Sequence, residues 1–514
     1  MRKSCAITGL GLTIERVVVA ALAVAFASCA TPARRAPRAG NVVVIVVDDV
    51  GCDLIGAYEQ YWLERGRAAG APAKTPAIDR ELAAKGVMFT QAWSAPACTP
   101  SRARLLTGLR SAHNGVGSVI KSRDDERGGV NVGLSLDARL LPQALRESPA
   151  GYASAAVGKW HLGDARTLAR FPHHPLGEPP GTWFGYYAGS MFNLQAPEDS
   201  GRRAGYYNWE KTLSVAPSRG FALPRADEAP IVEAMQVPPA DNYPTTDTTD
   251  DAIALLGALP EPFFLYVSYN AAHAPVHALP PVAEAAHSTG FQDRLREMVG
   301  DLDRQIGRLL EAVDARDTTV VFLGDNGTES RGLVAPFDAE QGKGTLYEGG
   351  CRVPMIVRSP LVPEALRGTA CDALVEMNDL FATFVELADG TLEADVARDS
   401  RSLAPLLRGE ASSVRELAYT ELFHPNFEPS SAAHNVRRHA QAVRDSRYKL
   451  LRFTTRERDL VHVEEQLFDL ATESSNSDWF EQRNLLAAPL SADAATALSR
   501  LRSALDHDFP SLSR

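Results

Sequence analysis

The run Val42-Val43-Val44-Ile45-Val46-Val47 leaves few folds open to this chain. β-Branched side chains are stiff at χ1 and favour an extended backbone. A run with no polar alternation has two faces to bury, which is the pattern of an interior strand in a parallel sheet covered by helices. Apolar runs of the same kind recur at 153–157, 263–269, 320–323 and 355–357, with spacings long enough for crossover helices. They predict an α/β fold. Helical periodicity marks 76–85, 290–313, 379–389 and 491–506. Beyond about residue 395 the apolar runs shorten and alternate, as in Tyr448–Phe453 and Gln466–Leu470. We therefore expect a large N-terminal α/β/α domain, residues 41–400, with a mostly parallel mixed sheet. A smaller C-terminal α+β domain with a short antiparallel sheet, residues 401–514, should follow, the boundary lying near 395–415.

Residues 17–27 are apolar and follow Arg2, Lys3 and Arg16, which reads as a secretory signal too short to span a bilayer. We assign 1–29 to the signal and the Pro/Ala/Arg-rich 30–40 to a linker. Ala25-Phe26-Ala27 suits simple cleavage, whereas Ala27-Ser28-Cys29 suits lipidation of Cys29. Either outcome places the mature chain outside the cytoplasm: in a bacterial periplasm or envelope, or secreted. Membrane contact would then come only through a lipid on Cys29. With Cys5 and Cys29 in the signal, Cys52, Cys98, Cys351 and Cys371 remain, too few for a disulfide scaffold. One bridge, Cys351 to Cys371, is the pairing to look for. Fifty-three Lys and Arg stand against 64 Asp and Glu, a net charge of −11, with no basic block beyond Arg34, Arg35 and Arg38. A dedicated nucleic-acid binder is thereby disfavoured, since neutralising phosphates requires a basic face.

Ligands of open α/β sheets bind beyond the carboxyl ends of the strands. Four of the expected strands end in reactive residues: Asp48-Asp49, Lys159-Trp160-His161, the HAPVH segment with His273 and His277, and Asp325-Asn326-Gly327. Each alone has an ordinary reading, as a cap, a turn or a solvated loop. Their recurrence at equivalent positions points to one site. Pro275 between the two histidines, and the absence of a glutamate after His273, argue against a helical zinc motif. Cys98-Thr99-Pro100-Ser101-Arg102 opens a helix that Gly108 should end, so Cys98 sits at a helix N-terminus where the dipole would raise thiol reactivity. A thiolate nucleophile with His161 or His273 as base is one reading, and a buried structural cysteine is another.

These residues carry a resemblance. Cys98 to Gly108 is similar to the signature C-x-P-S-R-x-x-L-L-T-G of the type I sulfatases of the alkaline phosphatase superfamily, and Gly151 to His161 resembles their second signature. The Asp pair, the HAPVH loop, Asp325-Asn326-Gly327, and Gly342-Lys343-Gly344 with Glu348-Gly349-Gly350 follow in the family's order, and similarity extends over about 41–490. The resemblance implies that a formylglycine-generating maturation enzyme converts Cys98 to Cα-formylglycine. It implies a Ca²⁺ ion, with Mg²⁺ the second choice, held by Asp48, Asp49, Asp325, Asn326 and the modified residue 98. An all-oxygen donor set suits such hard cations. Zinc enzymes of the superfamily carry His where Asn326 stands.

By the same resemblance Arg102 would hold the formylglycine hydrate, and Lys159 and Lys343 would bind sulfate oxygens. His273 would protonate the leaving alcohol, and also contact substrate. His161 would take the proton that releases sulfate, and His277 would be a substrate contact. The expected activity is hydrolysis of a sulfate ester of a carbohydrate or of a small aryl or alkyl alcohol. A phosphonate monoester or phosphodiester hydrolase, an inactive sulfate- or glycan-binding protein and a cysteine hydrolase remain alternatives. Aromatic residues between Phe171 and Trp209 either pack that stretch or face a sugar.

Overall fold

The structure is a computed structural model of the 514-residue chain. It describes residues 40–66, 70–120, 132–163, 174–177, 182–194, 205–216, 231–236, 243–280, 290–430, 436–457, 460–471, 480–509 and 511–512. The signal, Cys29 and almost all of the linker lie outside the described residues. Among the described residues no helix is long and apolar enough to cross a membrane.

Ten strands form the large sheet: β1 (Asn41–Val47), β2 (Val87–Trp93), β3 (Ala153–Gly158), β4 (Tyr186–Gly189), β5 (Glu210–Val215), β6 (Ile231–Gln236), β7 (Phe263–Ser268), β8 (Thr318–Gly324), β9 (Met355–Arg358) and β10 (Thr369–Glu376). Their order is β10-β2-β9-β8-β1-β7-β3-β4-β5-β6, and only β9 and β5 run against the rest. The valine run is its centre. Val43, Ile45 and Val47 enter the core on one face, while Val42, Val44 and Val46 enter the core on the other. The strand therefore needs no polar alternation; each such side chain contributes about 1.5–3 kcal/mol by leaving water.

Helices α1 (Gly56–Glu64), α4 (Pro244–Leu256) and α5 (Phe291–Ala312) cover the first face. Helices α2 (Cys98–Thr107), α3 (Leu141–Glu147) and α6 (Asp379–Leu387) cover the second. The α/β/α layering expected from the sequence is present.

A second, antiparallel sheet holds β11 (Ala418–His424), β12 (Arg438–Arg444), β13 (Tyr448–Glu457) and β14 (Leu460–Asp469) in chain order. Its alternation separates two faces. Val443, Leu450 and Leu467 pack on helix α7 (Ala492–His507), whereas Ala442, Leu451 and Phe468 join the core of the large sheet.

Three expectations are corrected. The 355–357 run is a strand, β9, but it lies antiparallel to β8 and β2. After β8, residues 325–354 stay at the carboxyl edge of the sheet, so β9 must leave from that edge; a parallel return needs a full crossover. The 76–85 stretch is helical but irregular, a π turn over Ile78–Leu82 followed by a 3₁₀ turn over Ala83–Lys85. Finally, Cys351 and Cys371 are free. Cys351 is buried with its thiol against the Tyr347 carbonyl at 3.2 Å, while Cys371 lies on the edge strand β10.

Candidate active site

Four neighbouring parallel strands end at one level: Val47 of β1 pairs with Gly324 of β8, and Ser268 of β7 pairs with Gly158 of β3. The next residues are Asp48, Asp325 and Lys159, and the chain after β7 turns within five residues to His273. Sheet register alone thus converges groups separated by up to 277 positions, as between Asp49 and Asn326.

Asp48, Asp49 and Asp325 are buried. Burying a carboxylate is costly unless it is paired, and each has a cation. Lys159 Nζ contacts Asp48 Oδ2, Lys343 Nζ lies 2.6 Å from Asp49 Oδ1, and Arg102 donates to Asp325 Oδ2 from Nη2 at 2.7 Å and from Nε at 3.1 Å. Burial raises the Asp48 carboxyl, but Lys159, His273, Arg102 and Lys343 outweigh it and hold the group well below the usual range. Asp325 moves the other way, pushed up to about 7 by burial and by Asp48. By contact, three buried acidic side chains face three cationic ones.

Helix α2 is buried along its whole length and presents Cys98 at its start. Gly108 ends it with φ of +67°, a left-handed conformation natural to glycine, its N–H donating to the Arg104 carbonyl at 2.9 Å. The burial of the helix start opposes an activated thiolate. Burial pushes the Cys98 thiol up, against the pull of Lys159 and Lys343, with Asp48 and Asp325 adding to the rise. A cysteine hydrolase needs the opposite.

The three histidines differ in what their rings do. His161 donates from Nε2 to the Ile120 carbonyl at 3.0 Å, leaving Nδ1 as a buried lone pair with no partner. Burial, then Lys159 and Arg102, hold it far below the ordinary imidazole value, which favours the neutral ring. His273 donates from Nδ1 to the Ala274 carbonyl at 2.6 Å and points Nε2 at Asp49, 3.9 Å away. His277 has both nitrogens engaged, with the Pro275 carbonyl at 2.8 Å and the Tyr243 hydroxyl at 3.0 Å, and its ring packs on Tyr206 with centroids 4.2 Å apart. Tyr206 in turn donates to the Asn270 and His273 carbonyls at 2.6 and 2.9 Å and so braces the His273 loop.

The residues present fit a hard divalent cation. Asn326 donates from Nδ2 to Asp49 at 2.8 Å, which turns its Oδ1 away; that oxygen and Asp48 Oδ1 are buried without hydrogen-bond partners. Buried orphan oxygens are rare and costly. Oxygens of Asp48 and Asp49 also cluster with a nitrogen of His273 within 4.8 Å. The imidazole is a softer donor than the oxygens around it.

Sequence reasoning brought together Asp48, Asp49, Cys98, Arg102, Lys159, His161, His273, Asp325, Asn326 and Lys343. It missed Ser268, whose hydroxyl accepts from Arg102 Nη1, and it quoted Glu348 without a role, where the structure has it anchor the Lys343 loop through Arg352 and Lys449. Ser268 ends β7 at the level of Gly158, so the strand-end rule could have found it. Gly327 also has a spatial reason: a Cβ there would sit 1.8 Å from the Gly349 carbonyl oxygen. The turn bearing Asn326 and the loop bearing Lys343 are thus packed backbone against backbone.

The sulfatase family pattern matches residues 40–391, and the pattern described as N-sulphoglucosamine sulphohydrolase, C-terminal, matches 339–502. Human N-acetylgalactosamine-6-sulfatase is 32% identical over 397 residues, covering 72% of this chain and 66% of the relative. Mouse arylsulfatase G is 30% identical over 451 residues, covering 82% and 77%. Among solved structures, Ps i-CgsB superposes with a TM-score of 0.63 at 25% identity over 92% of this chain and 94% of its own. The same protein in complex with k-i-k-neocarrahexaose gives 0.64 at 24% identity, covering 92% and 94%. With both signature segments meeting at one buried, charge-balanced site and the family pattern spanning most of the chain, the protein belongs to the sulfatase family.

Proposed function

We propose that this protein hydrolyses sulfate esters of carbohydrates, with residue 98 matured to formylglycine and a Ca²⁺ ion held by Asp48, Asp49, Asp325 and Asn326. The observation that carries the reading is the three-to-three balance of buried carboxylates and cations beside the start of α2. A divalent cation and a sulfate ester monoanion entering together add one net positive charge, which the doubly charged sulfate cancels once the ester is cleaved. The ion would neutralise sulfate oxygens and ease ionisation of a nearby hydroxyl. Formylglycine hydrate would supply two hydroxyls on one carbon, one to displace the alcohol from sulfur and one whose deprotonation expels sulfate.

The chain's own residues do the rest. Lys159 and Lys343 hold the sulfate oxygens as charge accumulates, and Arg102, fixed by Asp325 and Ser268, orients residue 98. His273 handles the proton of the departing oxygen at Nε2. His161 Nδ1 accepts the proton of the second hydroxyl. His277 contacts substrate only by giving up one of its two present hydrogen bonds.

A carbohydrate substrate is supported by the names of relatives: one acts on N-acetylgalactosamine-6-sulfate by its name, and a structural neighbour binds a neocarrahexaose. Export by the N-terminal signal, and the division into 41–400 and 401–514, complete the reading. The test is the mass of the tryptic peptide Gly86 to Arg102 from the native host after reduction and alkylation. An aldehyde at 98 that resists alkylation, together with aryl sulfate turnover exceeding aryl phosphodiester turnover, is the expected result. A fully alkylated cysteine from a host with active maturation refutes it.

A further inference from the structure

The loop that carries Lys343 is tied down by a segment more than 130 positions away. Lys343 and Gly344 donate their own N–H groups to the Thr328 and Pro96 carbonyls, but Gly349 and Gly350 punctuate the segment beyond, and the four-residue helix Glu348–Cys351 has no side-chain cap from Tyr347. The cap arrives instead from the C-terminal part of the chain. Glu481 Oε2 accepts the backbone N–H of Glu348, the Phe480 carbonyl accepts from Gln341 Nε2, and Gln482 Nε2 donates to Asp338 Oδ2 at 3.1 Å. Three consecutive residues thus clamp both ends of 338–348, with Lys343 between them.

Glu481 is the keystone of this clamp on two independent grounds. Its backbone sits at φ of +57°, a conformation that costs a non-glycine residue free energy and persists only where the surroundings impose it. Its carboxylate is 5% exposed and also lies 2.7 Å from Lys449, which reaches Glu348 Oε1 at 2.9 Å. Glu348 meanwhile binds Arg352 through Oε2. The two glutamates would repel each other without Lys449 between them. Because Gly349 is in backbone contact with Gly327, anything that lets the 348–350 segment drift loosens Lys343 and Asn326 together.

We propose that Glu481 is a positioning residue for the sulfate-binding Lys343, capping the Glu348 helix from the far end of the sequence so that the lysine stays in register with Asp49. The proposal rests on the reading of Lys343 as a sulfate ligand. A Lys ammonium on a flexible stem binds an anion well only if its backbone is fixed, since misplacement by an ångström is costly in catalysis.

Hydrogen exchange on the full-length protein tests the clamp without requiring turnover. Glu481→Ala should raise exchange across 342–350 by about tenfold, the loss expected for one charge-assisted hydrogen bond, while β1 and α5 stay protected. Gln482→Ala, a milder cut of the neighbouring tie, should raise it in the same segment by a smaller factor, and serves if Glu481→Ala does not fold. Glu421→Gln, a buried carboxylate of the second sheet away from the loop, should leave that segment unchanged. On a sulfate ester, Glu481→Ala should raise KM about tenfold more than it lowers kcat, and in a Lys343→Ala background it should cost only the smaller part that reaches Asn326. Unchanged loop exchange, or additive losses in the double variant, would overturn the clamp. A wild-type enzyme without sulfate ester turnover would instead remove the sulfatase reading, leaving exchange to decide the clamp.

Discussion

Arg102 and Arg104 stand two positions apart on α2, both fully buried, and the helix turns them to different neighbours. Arg102 joins Asp325 and Ser268 at the site, whereas Arg104 binds Glu376 at 2.6 Å, Asn378 at 2.9 Å and the Thr420 hydroxyl at 3.0 Å. Arg104 is structural by its contacts. Arg104→Ala should cost about 3 kcal/mol, the low end for breaking a buried ion pair, because Arg110 and Arg415 still face Glu376. Urea unfolding measures that loss, and the folded fraction should keep its kcat. At this scale the sequence was readable wherever a reactive residue follows a parallel strand, since register does the gathering. It was silent on Glu481 and on its bond to Glu348, which spans 133 positions without any local pattern to announce it.

Between elements, the seam joining the two sheets has an ionic part beside its apolar one. Glu376 at the end of β10 meets Arg104 of α2, Arg110, and Arg415 just ahead of β11. Burial raises its carboxyl, but Arg110, Arg415 and Arg104 together bring it down to about 2 from an ordinary 4.5. A lowered folded-state value means the seam's contribution is complete above about pH 4.5 and is lost as pH falls toward about 2. Urea unfolding across that window should show a steep acid limb that Glu376→Gln flattens. The apolar runs announced β1, β3, β7 and β8 because interior strands have no polar face to hide. They did not announce β2, whose buried Thr90 and Gln91 interrupt the run, nor the short β4. The direction of β9 is a property of the path between strands, which residue patterning does not encode.

At the scale of the whole molecule, Asp48, Asp49, Asp325 and Asn326 come from two segments on neighbouring strands, so a cation bound there cross-links the centre of the large sheet. Anything bound only by the folded state stabilises it by mass action. Chelation should therefore lower the melting temperature as well as activity. Readdition of Ca²⁺ at about 100 times its Kd should return about 2.7 kcal/mol, read as a calcium-dependent rise in Tm. A protein whose Tm ignores the chelator would carry no cation at this site. The α/β layering, the small antiparallel sheet and most of the side chains gathered at the candidate site were legible, because hydrophobic patterning and strand ends are local records of global packing. The clamp on Lys343 was not, because it depends on where two distant segments meet.

The 1% exposure of Cys98 has a consequence in time rather than in space. A side chain buried at the start of α2, against the carboxyl edge of the sheet, is closed to the active centre of any other enzyme. If residue 98 is converted, the conversion must happen while the chain is still nascent. Folding then acts as the deadline: a molecule that closes early is complete in shape and permanently without its nucleophile.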